Sequence, residues 1–348
     1  MNTSLSFSSI SEIHRALTNN EYPPRSLYDY IVEAYDKWKK GEAEKLAGSE
    51  ADYHNLSVEF SKKNSDVYAA TIAALGVETY PMSTDLLADL IKYSQEIGDS
   101  ESCKAGLKQL NEIDRQYWTW RTFVFVIDYL KDSLSYSSSL DEYKKNAEEA
   151  IDYINDFKKY IPYEERAYVA EAELCLNRSD QQGALDTLLD GIKKVAIAPQ
   201  CCMKLADLYL ERGEYANVEK YARKGILAAL QDQPTVSVGY LYYLLALAMD
   251  AKRIQNRQSG QVLGSNDVQD IVNAYQTADR LFVNEGRPAV AYRNTIQARL
   301  IIIEMEECIS TSKSNPMQKE NIVTEKTATP SLSELLMLSD ILKNKKDS

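Results

Sequence analysis

The chain has 348 residues, a net charge of −12 and 44% apolar residues. That apolar content excludes general disorder. The acidic balance argues against sequence-independent nucleic-acid binding, which needs Lys and Arg to displace counterions from phosphates. The 13 Gly and 9 Pro are sparse, as suits helices joined by few sharp turns, and Tyr (24) outnumbers Phe (6). A Tyr ring fills a layer between helices while its hydroxyl stays at a wet surface.

In chain order, Ser9-Ile10-Ser11-Glu12 is a capping box that opens a short helix, and Asn19-Asn20 and Pro23-Pro24 end it. Ser26 is read as the cap of the next helix, whose stripe of Tyr28, Ile31, Ala34, Tyr35 and Trp38 is interrupted at Gly41; a further helix is expected through Leu46. Helical pieces follow at 53–60 and 67–75, and Gly76 and Pro81 mark a break. Ser83 or Thr84 caps a pair that turns at Gly98. A helix dense in Trp118, Trp120, Phe123 and Phe125 comes next, with a polar loop at 133–139 and a partner helix at 141–160. After Pro234 the ten apolar residues Tyr240–Met249 form a buried helix, too short for the ~20 residues a membrane span needs. Residues 252–266 read as a second polar insertion, 267–283 as a helix, and 289–309 as the last long helix.

Two stretches superimpose at a step of 34 residues. Ala172, Cys175, Ser179, Ala184, Leu188, Gly191 and Ile192 return as Ala206, Tyr209, Gly213, Val218, Ala222, Gly225 and Ile226. Such a period marks an array of helix pairs, in which each pair buries its apolar stripe on the next. The run Leu205-Ala206-Asp207-Leu208-Tyr209, the turn at Gly213, and then Val218, Tyr221, Ala222 and Gly225 resemble tetratricopeptide repeats, most clearly over 165–232. The resemblance implies an all-α fold: an α-solenoid of antiparallel helix pairs wound as a right-handed superhelix. The expected organisation is an N-terminal helical region (1–80), repeats (81–309), a flexible linker (310–330) and a short amphipathic helix (331–348).

No catalytic constellation is legible. His14 and His54, the two imidazoles, lack metal-ligand spacing and read as surface or cap residues. Adjacent Cys201 and Cys202 suit zinc poorly and read as one core and one more exposed thiol. Phosphate-binding glycine motifs are missing, so neither enzyme activity nor a cofactor or metal is expected. Cys103, Cys175 and Cys308 complete an odd, widely spaced set, and residues 1–9 lack a basic-then-apolar leader, which together point to the cytoplasm.

The resemblance places first helices on a concave face that binds a partner protein or peptide. By position it assigns Arg166, Val169, Ala170, Glu173 and Asn177 from one repeat, Met203, Lys204, Asp207 and Glu211 from the next, and Tyr240 and Tyr243 from the following helix. Glu173 and Asp207 stand where chaperone-clamping members carry carboxylate-binding residues, so that subclass is disfavoured. The expected function is a scaffold, adaptor or regulatory subunit, with a peptide- or ligand-sensing regulator as the alternative; homo-oligomers are allowed and membrane attachment is not expected. At 331–348, Ser331 and Glu334 make a second capping box. Leu332, Leu335, Leu336, Leu338, Ile341 and Leu342 give an apolar surface for docking on the chain's own solenoid or on a partner.

Overall fold

The computed structural model describes residues 5–231, 236–261, 264–284 and 289–314. The 331–342 docking segment and most of the expected linker lie outside these residues. The chain divides into two compact units, Met1–Arg178 and Ser179–Ser348. Among the described residues all regular structure is helical, apart from an isolated bridge between Ser9 and Ala47.

The first unit contains α1 (Ile10–Thr18), α2 (Pro24–Lys39), α3 (Glu50–Lys62), α4 (Asp66–Thr79), α5 (Thr84–Glu96), α6 (Ser100–Leu110), a 3-10 turn (Arg115–Tyr117), α7 (Trp120–Ser135), α8 (Leu140–Tyr160) and α9 (Arg166–Asn177). Caps set many of the starts. Ser9, Ser83 and Thr119 each accept a backbone N–H three residues on, which satisfies one of the orphan donors of a helix N-terminus. Glu12 reaches back to Ser8 rather than to Ser9. Ser26 is no cap: α2 begins at Pro24, where a missing N–H costs nothing. The helix expected through Leu46 does not form; instead Ala47 pairs with the Ser8–Ile10 backbone. Gly76 breaks nothing either. It lies inside α4, where a Cβ would come within 3.0 Å of Leu86 and 3.1 Å of Tyr53, so its bareness lets α4 approach α3 and α5. Ser133–Ser135 belong to α7, and the polar loop shrinks to 136–139.

Helices pack as sequential antiparallel pairs, α3 with α4, α5 with α6 and α7 with α8, and the first helices also pack on one another, α3 on α5, α5 on α7 and α7 on α9. Aromatic layers fill the joints. Tyr28 stacks on Tyr68 at 4.1 Å, Trp118 on Tyr153 at 5.5 Å, and Phe123 on Phe157 at 4.9 Å.

The second unit contains α10 (Gln181–Lys194), α11 (Pro199–Glu211), α12 (Tyr215–Ala229), α13 (Val238–Gln258), α14 (Ser265–Phe282) and α15 (Val290–Ser314). Again α11 pairs with α12 and α13 with α14, while α11 packs on α13. Cys201 and Cys202 are both buried in α11. Gly225 lets α12 close on its neighbours, with a Cβ there 2.9 Å from Leu241 and 3.1 Å from Cys202. The 252–266 stretch is mostly helix, since α13 runs on to Gln258, and α15 continues to Ser314.

The repeat is also written in the backbone. Asn64 and Gly98, and again Ser179 and Gly213, take positive φ at helix-to-helix turns, each pair 34 residues apart.

Candidate functional site

Within the first unit, the face made by α3, α5, α7 and α9 concentrates polar chemistry. Asp89 on α5 is fully buried and needs compensation, because an unpaired buried charge is costly. His54 on α3 supplies Nδ1 at 2.5 Å from Asp89 Oδ2, and Arg121 on α7 supplies Nη2 at 3.0 Å from Oδ1. Arg121 Nη1 also lies 2.8 Å from His54 Nε2, which fits an imidazole that donates from Nδ1 to Asp89. Ser57 donates to the His54 carbonyl at 2.8 Å and lies 3.4 Å from Asp89. Nε2 faces Arg121 instead, so the cluster clamps three helices together. His54 is thus a half-buried clamp residue that joins two other helices, where the sequence suggested a surface or cap residue.

One turn further along, the Lys92 ammonium lies over the rings of Tyr93 and Phe125, at 5.0 and 5.2 Å, with the Arg121 guanidinium 5.3 Å from Phe125. Lys92, Gln95, Glu96, Phe125, Asp128 and Asp132 line an open cleft of about 410 Å³ between α5 and α7. Gln95 donates to Asp132. Burial, together with neighbouring Asp66 and against the pull of Lys92, pushes Glu96 above the usual carboxylate range. Lys131 holds Asp128 at 3.0 Å and Glu173 at 2.5 Å. The cleft therefore carries three carboxylates against one lysine on its walls.

The α9 residues assigned from the sequence fall beside this face. Glu173 is neutralised by Lys131, and Arg166 lies over the Trp120 ring at 4.0 Å while pairing with Glu164 at 3.0 Å. Asn177 is exposed, Ala170 is half-buried, and Val169 is buried in the packing instead of facing a groove.

In the second unit, Met203, Lys204 and Asp207 are half-buried and Glu211 is exposed. Tyr240 donates to Asp207 at 2.7 Å, bridging α11 and α13. Burial lifts the Asp207 carboxyl to about 6, although the Tyr240 bond and Lys204 pull it down. Tyr243 is buried and packs with Tyr240, Phe282 and Tyr292 at 5.3 to 6.4 Å. It faces α14 and α15, so it belongs to the core rather than to a binding surface.

A buried charge cluster was not foreseen from the sequence. Asp250 and Arg253 on α13 and Arg299 on α15 are each less than 5% exposed. Arg299 Nε donates to Asp250 at 2.8 Å, Arg253 Nε at 2.9 Å, and Tyr275 of α14 at 3.3 Å; Glu306 takes the outer side of Arg253 at 2.6 Å. The signal was present: Asp250 and Arg253, one turn apart, directly follow the apolar run 240–249.

No family model and no curated protein matches the sequence. Among solved structures the chain is similar to a thermophilic TPR protein of Thermus thermophilus (15% identity, 59% of this chain and 99% of that one, TM-score 0.44). It is similar to PilF of Pseudomonas aeruginosa (15% identity, 72% and 97%, TM-score 0.45). It is similar also to the Cut9–Hcn1 heterotetramer of the APC/C (10% identity, 83% and 47%, TM-score 0.44). What decides the fold is the packing of sequential helix pairs with left-handed turn residues at a 34-residue step. The fold is tetratricopeptide-like. Among the described residues no helix is long and apolar enough to cross a membrane.

Proposed function

We propose that the chain is a non-enzymatic interaction module of the cytoplasm that holds a peptide or helix of a partner protein on the first-helix face of its first unit. The observation that carries this reading is the open cleft between α5 and α7, with half-buried Phe125 in its wall and Glu96, Asp128 and Asp132 around it. An aromatic wall with charges around it suits an apolar anchor flanked by polar groups. The acidic excess selects Lys or Arg in the partner segment, and it disfavours phosphate-rich nucleic acid.

The test uses the full chain as bait in extract from its native cell, beside the Asp128→Lys/Asp132→Lys variant, with bound proteins identified by mass spectrometry. The expected result is a partner whose capture falls at least about tenfold in the variant, with its dependence on salt reversed or lost. A partner retained equally by both baits, or an RNA retained in place of a protein, would remove the cleft from the reading. The second reading, a sensor that changes curvature on binding, finds no specific support in the cleft.

A further inference from the structure

We propose that the second unit binds an extended peptide carrying an acidic side chain, in the cleft between α14 and α15. This cleft is distinct from the one in the first unit and takes a ligand of the opposite charge.

Spacing divides the surface of α14. Ile271, Tyr275, Ala278 and Phe282 belong to the core shared with α13 and α15. The ridge left over, Asn273, Gln276, Thr277 and Arg280, recurs at three- and four-residue steps. Together with Asp279, and with Gln297 and Leu300 of α15, it lines an open cleft of about 540 Å³. That volume is of the size that holds ligands in proteins. Leu300, half-buried against the core, supplies the apolar side chain of the wall.

Solvation alone does not select such a ridge. An exposed helix face is ordinarily filled with strong helix formers, Glu and Lys among them, and α14 contains neither. Asn and Thr are weak helix formers, so Asn273 and Thr277 stand there against local preference and bring hydrogen-bonding groups instead.

Those groups match a peptide. Gln269 donates to Oδ1 of Asn273 at 3.0 Å, which leaves the Asn273 amide N–H groups to donate. Gln276 and Gln297 are exposed, and each side-chain amide offers both a donor and an acceptor. A peptide unit needs one of each. Of the two charged residues on the wall, Asp279 is spent on Arg293 Nε at 2.9 Å. Arg280 is exposed, and its one hydrogen bond among the described residues goes to the Thr277 hydroxyl at 3.4 Å. The remaining N–H groups of its guanidinium suit a carboxylate, which a planar fork holds through two parallel bonds. From Asn273 to Arg280 is about 10 Å along the helix, the length of about three extended residues. A polynucleotide fits less well. Its phosphates only accept, and a single Arg on a chain of net charge −12 displaces few counterions.

Panning a random dodecapeptide phage library on the full chain, with the Arg280→Glu chain as counter-selection, tests this. The expected clones carry Asp or Glu and bind the unsubstituted chain alone. A fluorescein-labelled synthetic peptide from such a clone should bind Arg280→Glu at least about tenfold more weakly, the size of one lost charge-assisted bond. Arg280→Lys should keep part of the affinity, because it holds the charge without the fork. Gln276→Ala/Gln297→Ala should weaken binding by about threefold or more, with the circular dichroism spectrum unchanged. Absence of Arg280-dependent clones, or clones without an acidic residue, would overturn the proposal, as would equal affinity in the Gln276→Ala/Gln297→Ala chain. A loss of the same size in Asp128→Lys/Asp132→Lys would move the peptide to the first unit and overturn it too. Arg280-dependent binding of inorganic phosphate or poly(U) RNA, with no such clone, would replace the peptide by a phosphate ligand.

Discussion

Ser179 sits at φ 61°, the conformation that Gly213 takes 34 residues on at φ 70°. A Cβ in that region crowds the carbonyl that follows it, at roughly 1–2 kcal/mol for an ordinary residue. Nothing lies within 4 Å of a Cβ built at Gly213, so substitution there costs conformation alone. Gly213→Ala should therefore lower stability by about 1–2 kcal/mol. Ser179→Gly should raise it by about 0.5–1 kcal/mol once the added freedom of the unfolded chain is counted. Urea midpoints at constant slope check both, and an unchanged midpoint for Gly213→Ala would deny the turn its strain. The correspondence of these two positions was legible in the sequence as a register match, but the conformation they share was not, because Ser carries no φ preference of glycine's kind. Asp207 shows another limit of legibility. The residue was assigned to an open groove, yet burial lifts its carboxyl to about 6. An acid whose folded value exceeds its unfolded one binds its proton more tightly when folded, so stability falls as pH rises from about 4 to about 6. Asp207→Asn should flatten that part of the profile, measured as denaturation midpoints at pH 4.5, 5.5 and 7. A slope that stays the same would mean the carboxylate is solvated.

At the scale of the element, α13 separates what pattern reveals from what partners decide. Its apolar half, 240–249, was read correctly as a buried helix, since ten apolar residues need no partner to be recognised. Its second half, rich in Lys, Arg, Gln and Asn, reads as a loop by composition, but Lys252 meets Glu219 at 2.6 Å, Arg257 meets Glu306 at 2.9 Å, and Arg253 is buried on Asp250. Those acids lie on α12, α15 and α13, and only the Asp250–Arg253 pair, three residues apart on one helix, follows a local rule. The pairing makes a strong prediction. Asp250→Ala would leave two arginines buried without their shared carboxylate, at a cost of about 3–5 kcal/mol. The denaturation midpoint of the second unit's helices, followed by circular dichroism, should fall accordingly. Asp250→Asn should fall between, because the amide oxygen keeps one acceptor in place. A loss under 1 kcal/mol for Asp250→Ala, which is the size of an exposed pair, would show that water already reaches the cluster.

Across the whole molecule, the array could be read because its period is set by local packing. A glycine facing a bulky residue on the next helix occurs in both units, Gly76 against Leu86 and Gly225 against Leu241. The location of a binding face is a different matter, since it depends on which first-helix side chains are already spent on one another. Lys131 spends Glu173, and α14 with α15 spends Tyr243, and neither is visible until the helices are placed. The net charge of −12 adds a property that no single contact holds. Self-repulsion at that charge weakens the compact state, so raising salt from 0.02 to 0.5 M at pH 7 (ranges set by Debye lengths of about 20 and 4 Å) should raise the denaturation midpoint. Lowering the pH from 7 toward 5 should raise it too, both because net charge falls and because Asp207 takes up its proton. The two causes separate by screening. Repulsion between exposed charges is lost at high salt, whereas the preference of half-buried Asp207 for its proton is not, so Asp207→Asn should reduce the remaining slope at 0.5 M salt, leaving the share of Glu96, which burial also raises. Below the ordinary carboxylate range the trend reverses. Glu78 is held low by its bond to Lys39, with Tyr35 adding, and a carboxyl held low contributes stability that is lost as pH falls through its folded value. Midpoints measured over pH 3 to 8 at both salt concentrations should therefore peak at about pH 4–5, just above the ordinary carboxylate range. A midpoint that falls with added salt at pH 7 would mean that attractive pairs on the surface outweigh the acidic excess.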